Sequence, residues 1–227
     1  MTLDDFKNGQ VILIDKPLEW TSFQVVNKLR WNIRQKFNIK KIKVGHAGTL
    51  DPLATGLLII CTGKFTKKID EYQAQVKEYT GEITLGATTP SYDLETEVDQ
   101  TFPIEHITEE LIYNTAKKFI GEIDQKPPIF SAIKKEGRRL YDIAREGGTT
   151  EIKSRKITIN QFEITDINLP KVKFRVVCSK GTYIRSLAYD FGKQLNSGAH
   201  LSELRRTKIG DFKVDNAVTV DDFIDNL

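Results

Sequence analysis

The chain has 227 residues, enough to bury a core in one large domain or two small ones. Hydrophobic residues make up 39% and charged residues 29%, the balance of a soluble globular protein, and no apolar run reaches the length of a membrane span. The net charge of +3 says little by itself about partners, and the start MTLDDFKNGQ lacks the basic-then-apolar pattern of a secretion signal, so a cytoplasmic protein with no membrane partner is expected.

In chain order, QVILIDKP reads as a strand that stops at a proline turn. TSFQVVNKLRWNIRQKF reads as a helix capped by Thr21 or Ser22, with Phe23, Val26, Leu29 and Ile33 on one face. The loop GHAGTLDPLATG, Gly45 to Gly56, follows. GLLIICTG suits a buried strand, KFTKKIDEYQ a short helix, and the alternation of KEYTGEITLG a half-exposed strand. SYDLETEVDQTFPIEH is polar and reads as a surface excursion. TEELIYNTAKKFIG predicts a helix with Leu111, Ala116 and Phe119 inward, stopped by Gly121. Pro127 and Pro128 keep the next segment extended until RRLYDIAR turns helical. KSRKITINQFEITDI and VKFRVVCSKG predict strands, and TYIRSLAYDFGKQL a helix capped by Thr182. HLSELRRTKIGDFKV is mixed, and TVDDFIDNL predicts a last helix capped by Thr219. There is no long linker, repeat or low-complexity tract. Hairpin-like strand pairs favour an α+β fold, with a central mixed or mainly antiparallel sheet flanked by helices, over a doubly wound one. A single domain over residues 1–227 is expected.

Cys61 and Cys178 sit in apolar strand-like sequence and read as buried reduced thiols. His46, His106 and His200 are far apart, none with a Cys or His at ligand spacing, so no metal is expected. Charge is segregated. Lys28 to Lys43 holds seven cations and no acid; KKEGRR forms a second group; Lys180, Arg185, Lys193, Arg205, Arg206 and Lys208 form a third. Any one of these is an ordinary solvated face, but three that could converge favour a nucleic-acid partner.

Asp51 lies inside the glycine-rich loop, followed by Pro52. Gly45 and Gly48 permit unusual backbone angles or close approach, and Pro52 drives Leu50 and Asp51 toward extended geometry. Asp51 is either a turn former or a carboxylate presented to a substrate. Arg185, early in a predicted helix, could hold that carboxylate ionised or could be an exposed helix arginine. Lys77 and Tyr79 sit at i and i+2 and share a sheet face, where the tyrosine is either core or a stacking platform for a base.

The ordered set GHAGTLDPLATGLL, KEY, PPIFSAIKKEGRRLYDIAREG, CSKGTYIRSLAYDFG and GAHLSELRRTKIGDF resembles the TruB family of tRNA pseudouridine synthases, from LIDKPLEWTS to the C-terminus. The resemblance implies the pseudouridine synthase fold and an isomerase, an intramolecular transferase that converts uridine to pseudouridine at position 55 in the T-loop of tRNA. It places Asp51 on the essential aspartate, Tyr79 on the tyrosine packed against the target base, and Arg185 on the arginine paired with the aspartate. Lys77 completes a Lys-x-Tyr motif, His46 falls on a histidine that holds the T-loop with its base flipped out, and Leu204 falls near a pocket leucine. Gly45, Thr49, Lys64 and Arg138 are further expected RNA contacts. The reaction is an isomerisation, so no cofactor is expected; the partner is the T-arm of tRNA and the expected state a monomer. Many members carry an extra C-terminal RNA-binding domain of the PUA type; the resemblance implies that this sequence stops where the catalytic domain would, so no such domain is expected in it, either because its branch of the family lacks one or because the sequence is truncated. Two other readings use the same residues: a non-catalytic RNA-binding module, and a nucleoside N-glycosidase that releases the base.

Overall fold

The computed structural model describes residues 1–135 and 137–227; Glu136, within the cationic segment KKEGRR, lies outside the described residues. Helix α1 (Leu3–Asn8) precedes strand β1 (Val11–Lys16), helix α2 (Ser22–Lys36) and strands β2 (Val44–His46) and β3 (Ala54–Thr62). A 3-10 turn over Gly63–Lys68 and helix α3 (Ile69–Ala74) lead into β4 (Lys77–Leu85), then the short pair β5 (Ala87–Thr88) and β6 (Gln100–Thr101). Next come α4 (Glu109–Lys117), β7 (Gly121–Gln125), the hairpin of β8 (Lys134–Lys135) and β9 (Arg138–Arg139), and α5 (Leu140–Arg145). The chain finishes with β10 (Arg155–Asn168), β11 (Lys171–Cys178), α6 (Ile184–Gln194), β12 (Ala199–Ile209), β13 (Phe212–Lys213), a 3-10 turn over Val214–Asn216 and α7 (Val220–Asp225). It forms two compact units, Met1–Thr80 with Leu204–Leu227, and Gly81–Glu203. Among the described residues no helix is long and apolar enough to cross a membrane.

In the first unit β3 is the central strand. Along one edge it pairs antiparallel with β1, from Val11 opposite Cys61 to Lys16 opposite Gly56. Its other edge is shared. The end of β12 runs parallel to it with Leu204 opposite Ala54, and β2 runs antiparallel to it with His46 opposite Ile60. Both faces of β3 are covered, which explains its unbroken apolar run. Ile14, Leu58 and Ile60 pack under α1, α2 and α7 through Phe6, Val26, Leu29, Ile33 and Phe223. Leu57, Ile59 and Cys61 pack with Ala47, Ile209 and Val214 on the opposite side. Truncating Leu29, which is fully buried, to alanine should cost about 2–5 kcal/mol.

Helix α2 is capped by Thr21, whose hydroxyl accepts from the Gln24 amide while the Gln24 side chain accepts from the Thr21 amide. The buried face is Ser22, Val25, Val26, Leu29 and Ile33. Phe23, expected there, is 62% exposed: one residue from Ser22 is a 100° rotation, which carries it out of the stripe.

In the second unit β10 runs antiparallel to both β11 and β7, and the rings of Phe119, Phe162, Phe174 and Phe191 pack mostly edge to face in its core. In α4 the buried residues are Ile112, Thr115 and Ala116, and Phe119 is buried just beyond the helix; of the three residues expected inward, only Leu111 is partly covered. Helix α6 begins at Ile184 after Tyr183, and Thr182 does not cap it; the Thr182 hydroxyl donates to the Ser179 carbonyl. Gln125 secures that entry instead, accepting from the Tyr183 amide at 2.8 Å and donating to its carbonyl at 2.9 Å. The start of β4 is not half-exposed either, since Lys77, Glu78 and Tyr79 are all buried. The segment expected to be a surface excursion buries Ser91 and Asp93. The stretch HLSELRRTKI is one continuous strand within β12, and α7 is capped by Thr219. Cys61 and Cys178 are both buried.

Candidate active site

The loop from Ala47 to Leu53 leaves β2, whose pairing ends as the Ala47 amide donates to Ile59, and re-enters at Ala54 beside Leu204. Between the two partners on that edge, the carbonyl of Leu57 lacks a strand to receive from. Arg206 fills the gap. It is 1% exposed, donates from Nε to the Leu57 carbonyl at 2.8 Å, and reaches the loop through Nη2 to the Gly48 carbonyl at 3.1 Å. Gly48 has φ 106°, and Gly56 has φ 102° where the Arg206 backbone passes so close that a Cβ would lie 2.3 Å from its carbonyl oxygen.

Two further ties stiffen the loop. The Ser22 hydroxyl, at the start of α2, accepts from the Leu50 amide at 2.8 Å and lies 3.1 Å from the Leu50 carbonyl. The Lys16 ammonium, fully buried, donates to the carbonyls of Pro17, Trp20 and Pro52 at 2.8, 2.5 and 3.3 Å. Burial pushes Lys16 down to about 8, the negative charge of Asp51 holds it up, and the Arg206 cation acts against it. Asp51 is therefore a partly exposed carboxylate between two residues, Leu50 and Pro52, that are each fixed to the scaffold.

The first unit also holds most of the other expected site residues. His46 ends β2, its pKa lowered by burial and then by Arg206, with Gly48's backbone pulling weakly the other way. Its Nδ1 is buried without a hydrogen-bond partner among the described residues. Gly45 faces Cys61 across the ladder, and Thr49 is exposed at the loop's surface. Leu204 sits opposite Ala54, three residues after Asp51. Tyr79 is 9% exposed in β4. Lys77, on the same face, donates its ammonium to the carbonyls of Gln73 and Gln75 where α3 ends, an arrangement the helix dipole favours. Lys64 follows the opposite end of β3, roughly 26 Å along the strand from Ala54, with its ammonium on Asn8 at 3.1 Å.

Arg185 belongs to the second unit. It is 3% exposed, which removes the exposed-helix reading, and it donates to the carbonyls of Ser91 at 3.1 Å and Phe130 at 2.8 Å. Asp93 lies 3.6 Å from its Nε. Arg138 is exposed in the β8–β9 hairpin and paired with Glu146 at 2.6 Å. Sequence reasoning missed Lys16, Arg206 and Asp93. Lys16 had a signal: in VILIDK the alternation that buries Ile12 and Ile14 puts Lys16 on the same inner face.

The comparisons agree with this architecture. Residues 34–184 match the family described as "TruB family pseudouridylate synthase (N terminal domain)", and residues 185–227 match "tRNA pseudouridylate synthase B C-terminal domain". A protein of Flavobacterium johnsoniae named tRNA pseudouridine synthase B is 68% identical over the whole of both chains. One of the same name from Phocaeicola vulgatus is 57% identical over 96% of this chain and 93% of its own. Among solved structures, a chain in a Cbf5-Nop10-Gar1 complex superposes with a TM-score of 0.72 at 33% identity, over 97% of this chain and 54% of that one. A chain in an H/ACA RNP bound to a substrate RNA containing 2'-deoxyuridine gives 0.69 at 31%, over 97% and 53%. This chain thus spans about half the length of those two solved chains. By its sequence matches, its relatives and its mixed sheet, the chain belongs to the TruB family of pseudouridylate synthases.

Proposed function

We propose that this pseudouridylate synthase acts on tRNA, converting the uridine at position 55 of the T-loop, with Asp51 as the essential carboxylate. The observation that carries the reading is the braced loop: three buried or capped anchors, Ser22, Lys16 and Arg206, spend their hydrogen bonds on the backbone around one partly exposed acid. A turn former needs no such scaffold. The full-length identity to a protein named tRNA pseudouridine synthase B supports the substrate.

The reaction breaks the bond from ribose C1′ to N1 of uracil, turns the base, forms the bond from C1′ to C5, and moves the C5 proton away while N1 regains one. Product and substrate are isomers, so the chemistry needs no oxidant or second substrate. A carboxylate can serve by attack at C1′, by addition at C6, or by removing a proton from the sugar. Each requires the ionised form, which the Lys16 ammonium favours. The uridine must leave its stack to reach Asp51. In this reading Tyr79 packs against the extruded base, Lys77 fixes the strand that carries Tyr79, His46 supports the loop, and Arg185 pairs with Asp51 as the resemblance implies. Leu204 lines the apolar side that keeps the freed base from water. A cytoplasmic monomer suffices for all of these roles.

The test is incubation with unmodified tRNA and pseudouridine mapping at single-nucleotide resolution, with Asp51→Asn alongside. Pseudouridine at position 55 from the wild type and none from the variant, with tRNA affinity changed by no more than a few fold, is the expected result. An Asp51→Asn enzyme that still forms pseudouridine would overturn it, and free uracil in the reaction would favour the glycosidase.

A further inference from the structure

The function above leaves unused the longest acid-free stretch of the chain. Between Glu19 and Asp51 there is no aspartate or glutamate, while Lys28, Arg30, Arg34, Lys36, Lys40, Lys41 and Lys43 fall inside it. Most helices offset such repulsion with acids at i±4 and in the first turn, and α2 has no acid in its first turn. Its buried stripe turns Phe23, Gln24, Lys28, Trp31 and Gln35 outward, with Asn27 and Arg34 at the margins. Trp31 is 55% exposed and Phe23 62%. Two large aromatic rings held in water on a cationic, acid-free face are costly for a monomeric surface and suit a partner that carries both negative charge and π-faces.

The place of this face matters as much as its composition. Ser22, which touches Leu50 beside Asp51, immediately precedes Phe23. From there the 15-residue helix extends about 22 Å to Lys36, and the exposed Lys40, Lys41 and Lys43 continue the strip. An RNA bound with one nucleotide at Asp51 has strand to spare in that direction.

We infer that the outer face of α2 is a second RNA-binding surface, which holds a single-stranded stretch of the same RNA whose uridine meets Asp51. It rests on the RNA-modifying function proposed above. Trp31 stacks on an unpaired base, Lys28 and Arg34 track the phosphates beside it without reading sequence, and Lys36, exposed as the last residue of the helix, leads that track from the face to Lys40, Lys41 and Lys43. An acidic polypeptide would match the charge but would not use the exposed rings.

The test is fluorescence anisotropy with a labelled 12-nucleotide oligouridylate and with unmodified tRNA, across a salt series. Trp31→Ala should weaken oligouridylate binding about tenfold, and Trp31→Phe should restore most of it. Lys28→Glu combined with Lys36→Glu should weaken both RNAs by at least about tenfold and flatten the salt slope by about 1.4, two phosphate contacts' worth. Indole fluorescence should be quenched by oligouridylate in the wild type and not in Trp31→Ala. Equal affinities for both RNAs in all variants would overturn the surface, as would displacement of the RNA by polyglutamate with no dependence on Trp31. Because these positions are exposed or half-exposed, circular dichroism should show native variants; a variant that has lost structure is replaced by Trp31→Gln or Lys36→Gln, read by the same criteria. Failure of the function itself shows separately, as wild-type enzyme that makes no pseudouridine whatever its affinities.

Discussion

Among the described residues each unit buries one arginine, and the two are satisfied in different ways. Arg206 in the first unit gives its donors to main-chain carbonyls, Leu57 and Gly48. Arg185 in the second also takes carbonyls, of Ser91 and Phe130, but lies 3.6 Å from the buried carboxylate of Asp93. The contrast separates a brace from a charge centre. Carbonyl oxygens carry only partial charge, so Arg206 substitutes for missing strand neighbours along the edge of β3. The buried Asp93 carboxylate sets an opposite charge beside Arg185 while the Ser91 and Phe130 carbonyls orient its guanidinium, an arrangement that suits the pairing role proposed for it.

The largest effect should follow from breaking the charge centre. Arg185→Met leaves Asp93 buried without this cation and should cost about 3–5 kcal/mol of stability, along with nearly all pseudouridine formation. The double variant Arg185→Met with Asp93→Asn sharpens the point. Neutralising the acid should return most of the melting temperature and none of the activity. If activity returned along with stability, Arg185 would be a structural arginine of the same kind as Arg206.

Arg206 should be the milder case. Arg206→Met keeps most of the volume but leaves the Leu57 and Gly48 carbonyls unsatisfied, at a cost of about 1–3 kcal/mol. The Asp51 loop loses its tie at Gly48, so kcat should fall more than tRNA affinity does. Arg206→Lys should not rescue it, because a lysine has no donor at the Nε position from which Leu57 is reached, so its one terminal nitrogen cannot replace both Nε and Nη2. Chemical denaturation and single-turnover kinetics on the same preparations would check both statements.

The difference between the two arginines also marks how far the sequence could be read. Periodicity placed β1, α2, β3, β10, β11 and α7, because each either buries one face or is covered on both. The loop around Asp51 stood out through Gly45, Gly48 and Pro52, whose backbone preferences act locally; Gly48 has the positive φ that this reading allows, whereas Gly45 lies in strand β2 and the second positive φ falls at Gly56. Arg206 did not stand out. Its burial follows from β2 and β12 sharing one edge of β3, a pairing between segments about 150 residues apart that leaves no trace in local pattern. Asp93 was hidden in the same way inside a polar stretch that composition assigns to the surface. Phe23 and Thr182 failed for smaller reasons: a helix phase off by one residue, and a cap replaced by the side chain of Gln125, 58 residues away.

The smallest effect concerns Lys16, which shares the brace with Arg206 but can lose its charge. Burial pushes it down to about 8 from an ordinary 10.5. In the unfolded chain it therefore binds its proton more tightly than in the folded one between about pH 8 and 10.5. On its account stability rises with pH across that window rather than falling. Activity should move the other way. Above about pH 8 the ammonium that faces Asp51 and donates to the Pro52 carbonyl becomes neutral, and single-turnover rates should decline along a one-proton limb. Lys16→Arg keeps the cation and should lower the rate overall but remove the limb. Measured from pH 6.5 to 9.5 with denaturation midpoints in parallel, a rate that falls while the midpoint rises identifies a charge lost beside Asp51. A flat wild-type profile would mean that the three carbonyls keep Lys16 protonated throughout, making it as permanent a brace as Arg206.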